Sequence, residues 1–380
     1  MGNIISVSEY IEGSINFRAT IPRNKAKLYL SEKSFPEQFS IPTMGAFSTR
    51  RNRFLKLNSY DKITNHDGLR FKASHKRAIR AVRWANYLSS NGIHGIFAFN
   101  TNDGQGWEYE TLDPIWDQVP VWQFARKVGE QRNVFLMPLE RSFMGPRSEN
   151  QPRVGFDPVP FKEKQPLIFW RGAPNGTEIE GNNIRWLSGE MESFTKTSPG
   201  SMAEQTALAV LRSFLRIRIV ENLATSPIAD VGFVIRPGMD PSPSIKKWYR
   251  PPTPRQKQCE SRYLLALEGN DYPTSLYWSL ASNCLVMIPA RRWETALDFG
   301  LQAGVHYIPV GESQKEVEAA IEHCESNHAM CEEIIANAHS FIEYLSDIEI
   351  RDTIDAEVAQ RYASAFQAIG SLDELSLSKY

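Results

Sequence analysis

At 380 residues the chain exceeds one ordinary hydrophobic core and fits two domains. Its 42% hydrophobic and 23% charged residues are those of a soluble globular protein. Lys+Arg 43 against Asp+Glu 44 leaves a net charge of −1, which argues against a bulk nucleic-acid partner.

No apolar run is long enough to span a bilayer. The start, MGNIISVSEY, lacks the basic and apolar regions of a signal peptide, although Gly2 with Ser6 fits the myristoylation pattern. The cysteines are Cys259, Cys284, Cys324 and Cys331. They form no C-x-x-C pair, and their spacing suits neither zinc nor a disulfide framework. They read as free thiols in a reducing compartment. A cytoplasmic location is therefore expected, with peripheral association at the inner face of a membrane left open.

Residues 1–70 read as irregular, and 74–89 as an amphipathic helix closed by Asn91-Gly92. GIFAFN (95–100) is a predicted strand, and Thr101-Asn102-Asp103-Gly104 is the turn after it. Asp103 reads two ways. It is either the carboxylate of an Asx-type turn or an acidic group where open α/β sheets place ligands, just past a strand's C-terminal end. VPVWQFA (119–125) and NVFLMP (133–138) continue the strand pattern, and a linker is expected within 145–165. PLIFW (166–170) is the next strand and runs into RGAPNGT. Arg171 there is either a phosphate-gripping fork or the surface arginine of a turn.

Residues 201–216 read as helical, with a local basic bias from Arg212, Arg216 and Arg218. ADVGFVI (229–235) is a buried strand, and the proline-rich 237–255 reads as a loop. SRYLLALEGNDYPTSLYWSLASNCLVMIP (261–289) has the order strand, tight loop, helix, strand. Its glycine lets the backbone approach a ligand, and its hydroxyl residues Thr274 and Ser275 suit the start of a helix. This is either an ordinary capped βαβ crossover or a phosphate-facing one. A helical segment (293–299), a strand VHYIPV (305–310) and terminal helices follow. In the last helix Val358, Tyr362, Phe366 and Ile369 share one face. His306, inside the predicted strand, reads as a core residue. There is no H-E-x-x-H, G-x-S-x-G, phosphate-loop or G-x-G-x-x-G signature, and no D-x-D at a strand end.

The run EGNDYPTSLYWSLASNCLVMIP, then WETAL, then VHYIPV, resembles glycosyltransferase family 90. That family includes bacterial lipopolysaccharide-modifying enzymes, fungal capsule-associated xylosyltransferases and animal protein O-glucosyltransferases. FWRG (169–172) is similar to the family's strand end. IFAFNTND (96–103) is similar to the strand that carries its catalytic aspartate, and VPVWQF to the segment after it. These separated segments, in the right order, carry the resemblance.

The resemblance implies an α/β, GT-B-like fold, with two Rossmann-like lobes facing a cleft and C-terminal helices packing back on the body. Residues 1–155 would form the acceptor-side lobe, 156–345 the nucleotide-sugar lobe and 346–380 the returning helix. It implies inverting transfer of a hexose or pentose from a UDP-sugar to a hydroxyl of a glycan acceptor, lipopolysaccharide or another polysaccharide. No cofactor and no metal are implied. Asp103 matches the general base, and Asp113 or Asp117 are alternative placements that fit the preceding strand less well. Arg171 and Gly172 match donor-phosphate contacts. Glu268, Gly269, Asn270, Asp271, Thr274 and Ser275 match the donor loop and helix start. The animal enzymes have an arginine where this chain has Ser275, and a shorter loop after the aspartate. The competing reading is a non-catalytic sugar- or partner-binding protein of the same fold.

Overall fold

The computed structural model describes residues 153–180, 183–235 and 238–369. Nearer the N-terminus it describes 121–129, 134–136, strand backbones within 44–100 and a few single positions. Two compact units form. One is built mainly from 141–292 and 300–348, the other from 5–140, 293–299 and 349–380. The units are thus interleaved in sequence.

The core of the C-terminal unit is a six-stranded sheet. In chain order its strands are β1 (Gln165–Gly172), β2 (Ala229–Val234), β3 (Tyr249–Arg250), β4 (Ser261–Leu265), β5 (Leu285–Ile288) and β6 (Ile308–Pro309). Every neighbouring pair is parallel, and the spatial order is β3-β2-β1-β4-β5-β6. A parallel sheet must be covered on both faces, so its strands are continuous apolar runs rather than alternating ones. Alternate residues serve opposite faces. Ile168, Trp170, Tyr263, Leu265, Leu285 and Met287 pack with Leu215, Ile217, Ile219 and Val220 of the Leu215–Leu223 helix. Phe169 and Leu264 pack on the other face with Trp278 of the Leu276–Leu280 helix. Farther along, a capping box between Ser313 and Glu316 starts the Gln314–Glu325 helix.

The N-terminal unit holds a five-stranded sheet, in the order Arg53–Leu57, Met44–Ser48, Ile96–Asn100, Val121–Gln123, Val134–Leu136. The last three strands are parallel to one another. Tyr362 of the Ile348–Ile369 helix packs on Trp122 and Phe135, at ring-centroid distances of 5.0 and 5.2 Å. Val358 and Tyr362 are fully buried, as the apolar stripe predicts, while the side chains of Phe366 and Ile369 lie outside the described residues.

Several expectations are corrected. Residues 44–72 are not irregular but contain four strands, two of which join the five-stranded sheet. Each is only four or five residues long; Met44–Ser48 pairs with Ile96–Asn100, remote in sequence, and Arg53–Leu57 joins the sheet through Met44–Ser48. The 201–216 helix is two helices, Met202–Leu211 and Leu215–Leu223. Phe214 is extended and buried between them, and the Ser213 hydroxyl donates to the Val210 carbonyl. The 293–299 helix is instead a strand, Trp293–Glu294, and a 3-10 turn, Ala296–Phe299. The strand pairs with Arg126–Lys127, where Arg126 Nε meets Glu294 Oε1 at 2.5 Å. The proline-rich 237–255 loop contains β3, because Trp248 and Tyr249 bury their rings at the sheet edge. His306 precedes β6 rather than lying inside a strand. It is buried, its Nδ1 accepts from the Gln302 amide at 3.0 Å, and desolvation lowers its pKa.

The expected 145–165 linker ends in core structure. Lys164 Nζ donates to Asp157 Oδ2 at 2.8 Å and to the Cys259 carbonyl, with both charged side chains almost wholly buried. Asp157 Oδ2 also accepts from the Asn283 amide at 2.9 Å, tying this segment to the start of β5. Removing one partner of such a pair leaves an uncompensated buried charge. Lys164→Met is therefore expected to cost about 3–5 kcal/mol in urea denaturation, and Lys164→Met with Asp157→Leu to recover most of it. A double variant as unstable as the single one would contradict this account.

Candidate functional site

In an open parallel sheet, ligands bind outside the carboxyl ends of the strands, where the strand order reverses. Here the order reverses between β1 and β4. Right-handed crossovers from β1 toward β2 and from β4 toward β5 run to opposite faces and leave a crevice between the two departing loops. The loop after β1 is 173–176, and the loop after β4 is 266–275. The residues expected to hold the donor, Arg171, Gly172 and Glu268 to Ser275, therefore meet at one sheet edge.

The two loops are stitched together. The Thr177 amide donates to the Gly269 carbonyl at 3.1 Å, and its hydroxyl to the Asn270 carbonyl at 3.1 Å. Arg216, in the first turn of the Leu215–Leu223 helix, bonds both. Its Nε and Nη2 donate to the carbonyls of Glu268 and Leu267 at 2.9 Å each, and its Nη1 to the Ala173 carbonyl at 3.0 Å and to Asn175 Oδ1. Desolvation lowers the guanidinium to about 10, while the Asp271 and Glu268 carboxylates act in the raising direction. It therefore stays charged at neutral pH.

Several of the expected contacts have structural duties. A Cβ on Gly269 would stand 2.7 Å from Arg216 Nη2, so this glycine makes room for a protein guanidinium. A Cβ on Gly172 would stand 2.3 Å from the Trp170 ring. Arg171 donates Nη1 to the carbonyls of Trp170 and Asp230 at 3.0 and 2.8 Å, Nη2 to Asp230 Oδ1 at 2.6 Å and Nε to the Pro251 carbonyl at 3.3 Å. It also lies 4.5 Å from the Phe169 ring centroid, and its side chain is 6% exposed. Its fork ties β1 to β2. Glu268 is buried, and its two oxygens accept the Arg292 amide at 3.0 and 3.1 Å.

The start of the Leu276–Leu280 helix differs from its expected form. Ser275 is helical in φ and ψ and makes no side-chain cap bond, and the Pro273 carbonyl accepts from the Leu276 amide at 2.8 Å. Thr274 is exposed and Ser275 half-buried, whereas Asp271 is buried. Asp103, Asp113 and Asp117 lie outside the described residues.

The sequence reading missed Arg292 and Glu178. Arg292 Nη1 meets Glu178 Oε2 at 2.7 Å, and its Nε lies 3.6 Å from Glu268 Oε2. Arg218 lies 4.0 Å from the same Glu178 and 2.5 Å from Glu312. At 23% and 33% side-chain exposure, Arg292 and Arg218 are cations of this edge that solvent reaches. The basic bias of 212–218 was a signal for the second. Nothing in the spacing singled out Arg292, which follows β5 and reaches the crevice only through the sheet order.

Among the described residues one group of metal-ligating type converges, Asp157, Cys259 and Cys284, with donor atoms within 4.8 Å of one another. It lies beside the starts of β4 and β5, at the opposite end of the strands from the crevice, and the Lys164 ammonium already supplies its positive charge. The Cys259 thiol is pushed up by its bond with Cys284 and by burial. Among the described residues no helix is long and apolar enough to cross a membrane.

Residues 238–368, which supply β3 to β6 and the loop after β4, match the family described as Glycosyl transferase family 90. O-glucosyltransferase LpsA of Dichelobacter nodosus is 33% identical over 153 residues, 40% of this chain and 46% of that protein. The match thus spans about half the length of the curated relative. Two solved structures are similar at a TM-score of 0.28. They are sucrose-phosphate synthase from Thermosynechococcus elongatus (14% identity, 40% of this chain and 42% of that one) and Anabaena HepE in complex with UDP and glucose (10% identity, 54% and 49%). At that score neither carries an argument about this chain. The family 90 segment thus contributes one wall of the crevice, while β1, its loop and Arg216 come from outside it.

Glu268→Ala removes both acceptors of the Arg292 amide. It is expected to cost about 1.5–3 kcal/mol, the range for hydrogen bonds to a charged group. Hydrogen exchange should quicken in peptides covering 289–292, and unchanged exchange there would remove Glu268 from this role.

Proposed function

We propose that this chain is a glycosyltransferase that moves a sugar from a UDP-sugar to a hydroxyl of a glycan acceptor, with inversion and without a metal. The observation that carries the reading is the position of the EGNDYPTS run. This run lies within the segment that matches the family and follows β4 at the strand-order switch point. The fold it would use is GT-B, with the donor held by the C-terminal unit. The name of the Dichelobacter relative makes UDP-glucose the first donor to test, and lipopolysaccharide or another polysaccharide the acceptor class.

In this mechanism the acceptor oxygen attacks the anomeric carbon from the face opposite the diphosphate. The new C–O bond forms as the bond to the diphosphate breaks, and Asp103 takes the hydroxyl proton. A carboxylate within hydrogen-bond reach of that hydroxyl suffices for this role. The departing diphosphate gains negative charge, which donors fixed in advance stabilise without reorganisation. The backbone amides and hydroxyls of Thr274 and Ser275 are the candidate donors on the family wall. Arg292 is the candidate cation. Arg171, engaged by Asp230 and main-chain carbonyls, would reach a phosphate only by exchanging partners.

Asp103→Asn is expected to leave UDP binding intact and to lower transfer by roughly 10²–10⁴-fold, the usual contribution of a general base. UDP release with UDP-glucose and a glycan acceptor measures it, and a wild-type rate in the variant would remove Asp103 from the role. Activity of the wild-type chain should be the same with and without EDTA. Loss on chelation with recovery on adding Mn²⁺ would overturn the metal-independent reading.

A further inference from the structure

We infer that Arg216 is the positioning residue of the crevice: one guanidinium fixes the spacing of the two loops that wall it. This rests on reading the crevice as the donor site. Arg216 neither belongs to the family 90 segment nor lies next to either loop in sequence. The Leu215–Leu223 helix brings its first turn to the sheet edge because the helix runs back, antiparallel to the strands, to enter β2.

Three features separate this arginine from an ordinary structural one. Its acceptors are divided between the loops: Ala173 and Asn175 on one side, Leu267 and Glu268 on the other. Its position opposes local electrostatics, because a cation in the first turn of a helix faces the positive end of the helix dipole. The carbonyl dipoles and the nearby Asp271 and Glu268 charges offset that cost. Finally, Gly269 in the middle of the family motif is shaped to it, since a Cβ there would meet Nη2, Cζ and Nη1 at 2.7, 2.9 and 3.2 Å. The plane of the guanidinium also lies near the Trp170 ring, 5.3 Å from centroid to Cζ, which limits its rotation. A lysine ammonium is a point donor without the planar fork and does not span both loops.

The test uses the full chain with Arg216→Lys, Gly269→Ala and the double variant. It reads UDP affinity by calorimetry, thermal melting, and hydrogen exchange of 173–177 and 267–272. Each single change is expected to weaken UDP binding at least about tenfold, the effect of losing one hydrogen bond to a charged group. Exchange should quicken in both loops together, including the loop that the substitution does not touch. The double variant should bind no worse than the weaker single one, because both changes act on the same guanidinium. Wild-type UDP affinity and exchange in Arg216→Lys would overturn the inference. So would losses that multiply in the double variant, or a lowered melting temperature with no local exchange pattern. Should Arg216→Lys fail to fold, Gly269→Ala alone gives the same affinity and exchange readouts. If the wild-type chain itself does not bind UDP, the donor reading falls. The exchange pattern then still decides whether Arg216 holds the loops.

Discussion

The reversal of strand order between β1 and β4 is the constraint on which the rest of the C-terminal unit depends. A sheet that grows in one direction only would cover its carboxyl edge with crossovers of one kind. Here the chain leaves β1 toward one face and β4 toward the other, so the loops that follow them meet at the strand-order switch point. Two adjacent parallel strands also fix the distance between the loops that follow them. The remaining freedom lies in the loops, and it is removed by hydrogen bonds from Thr177 and Arg216.

The charges at this edge show how a protein keeps several arginines beside one crevice. Arg216 is held by main-chain carbonyls, Arg171 by Asp230, and Arg292 and Arg218 by Glu178, Glu268 and Glu312. Desolvating a guanidinium is costly unless its donors are satisfied. The deeper arginines are therefore committed to the fold. The more exposed Arg292 and Arg218 keep solvent access. An arginine at a strand end is accordingly not an anion contact by position alone. At 171 the fork serves the strands, whereas the cations nearest solvent follow β5 and occupy the Leu215–Leu223 helix.

Much of the C-terminal unit could be read from residue patterns. PLIFW, ADVGFVI and the apolar runs at either end of 261–289 announced strands, because a strand covered on both faces is a continuous apolar run. The 261–289 run gave its strand, loop, helix and strand in the right places. The short elements were harder to read. The strands of 44–72, Trp293–Glu294 and Tyr249–Arg250 carry too few residues for a period to emerge, and for Met44–Ser48 and Trp293–Glu294 a partner far along the chain completes the pairing. The break at 212–214 escaped notice because helical propensity is continuous there, while burial of Phe214 is a tertiary event.

By itself the sequence determined the α/β class, the resemblance to family 90 and the set of residues at the end of β4, since these depend on neighbours along the chain. Only the tertiary structure decided what those residues touch. Gly269 reads as room for a ligand and proves to be room for Arg216, more than fifty positions away. Glu268 reads as a donor contact and proves to hold the Arg292 amide. Hydrogen bonds and close packing are satisfied by whichever group the fold brings within about 3 Å. Strand order, not sequence separation, sets which group that is.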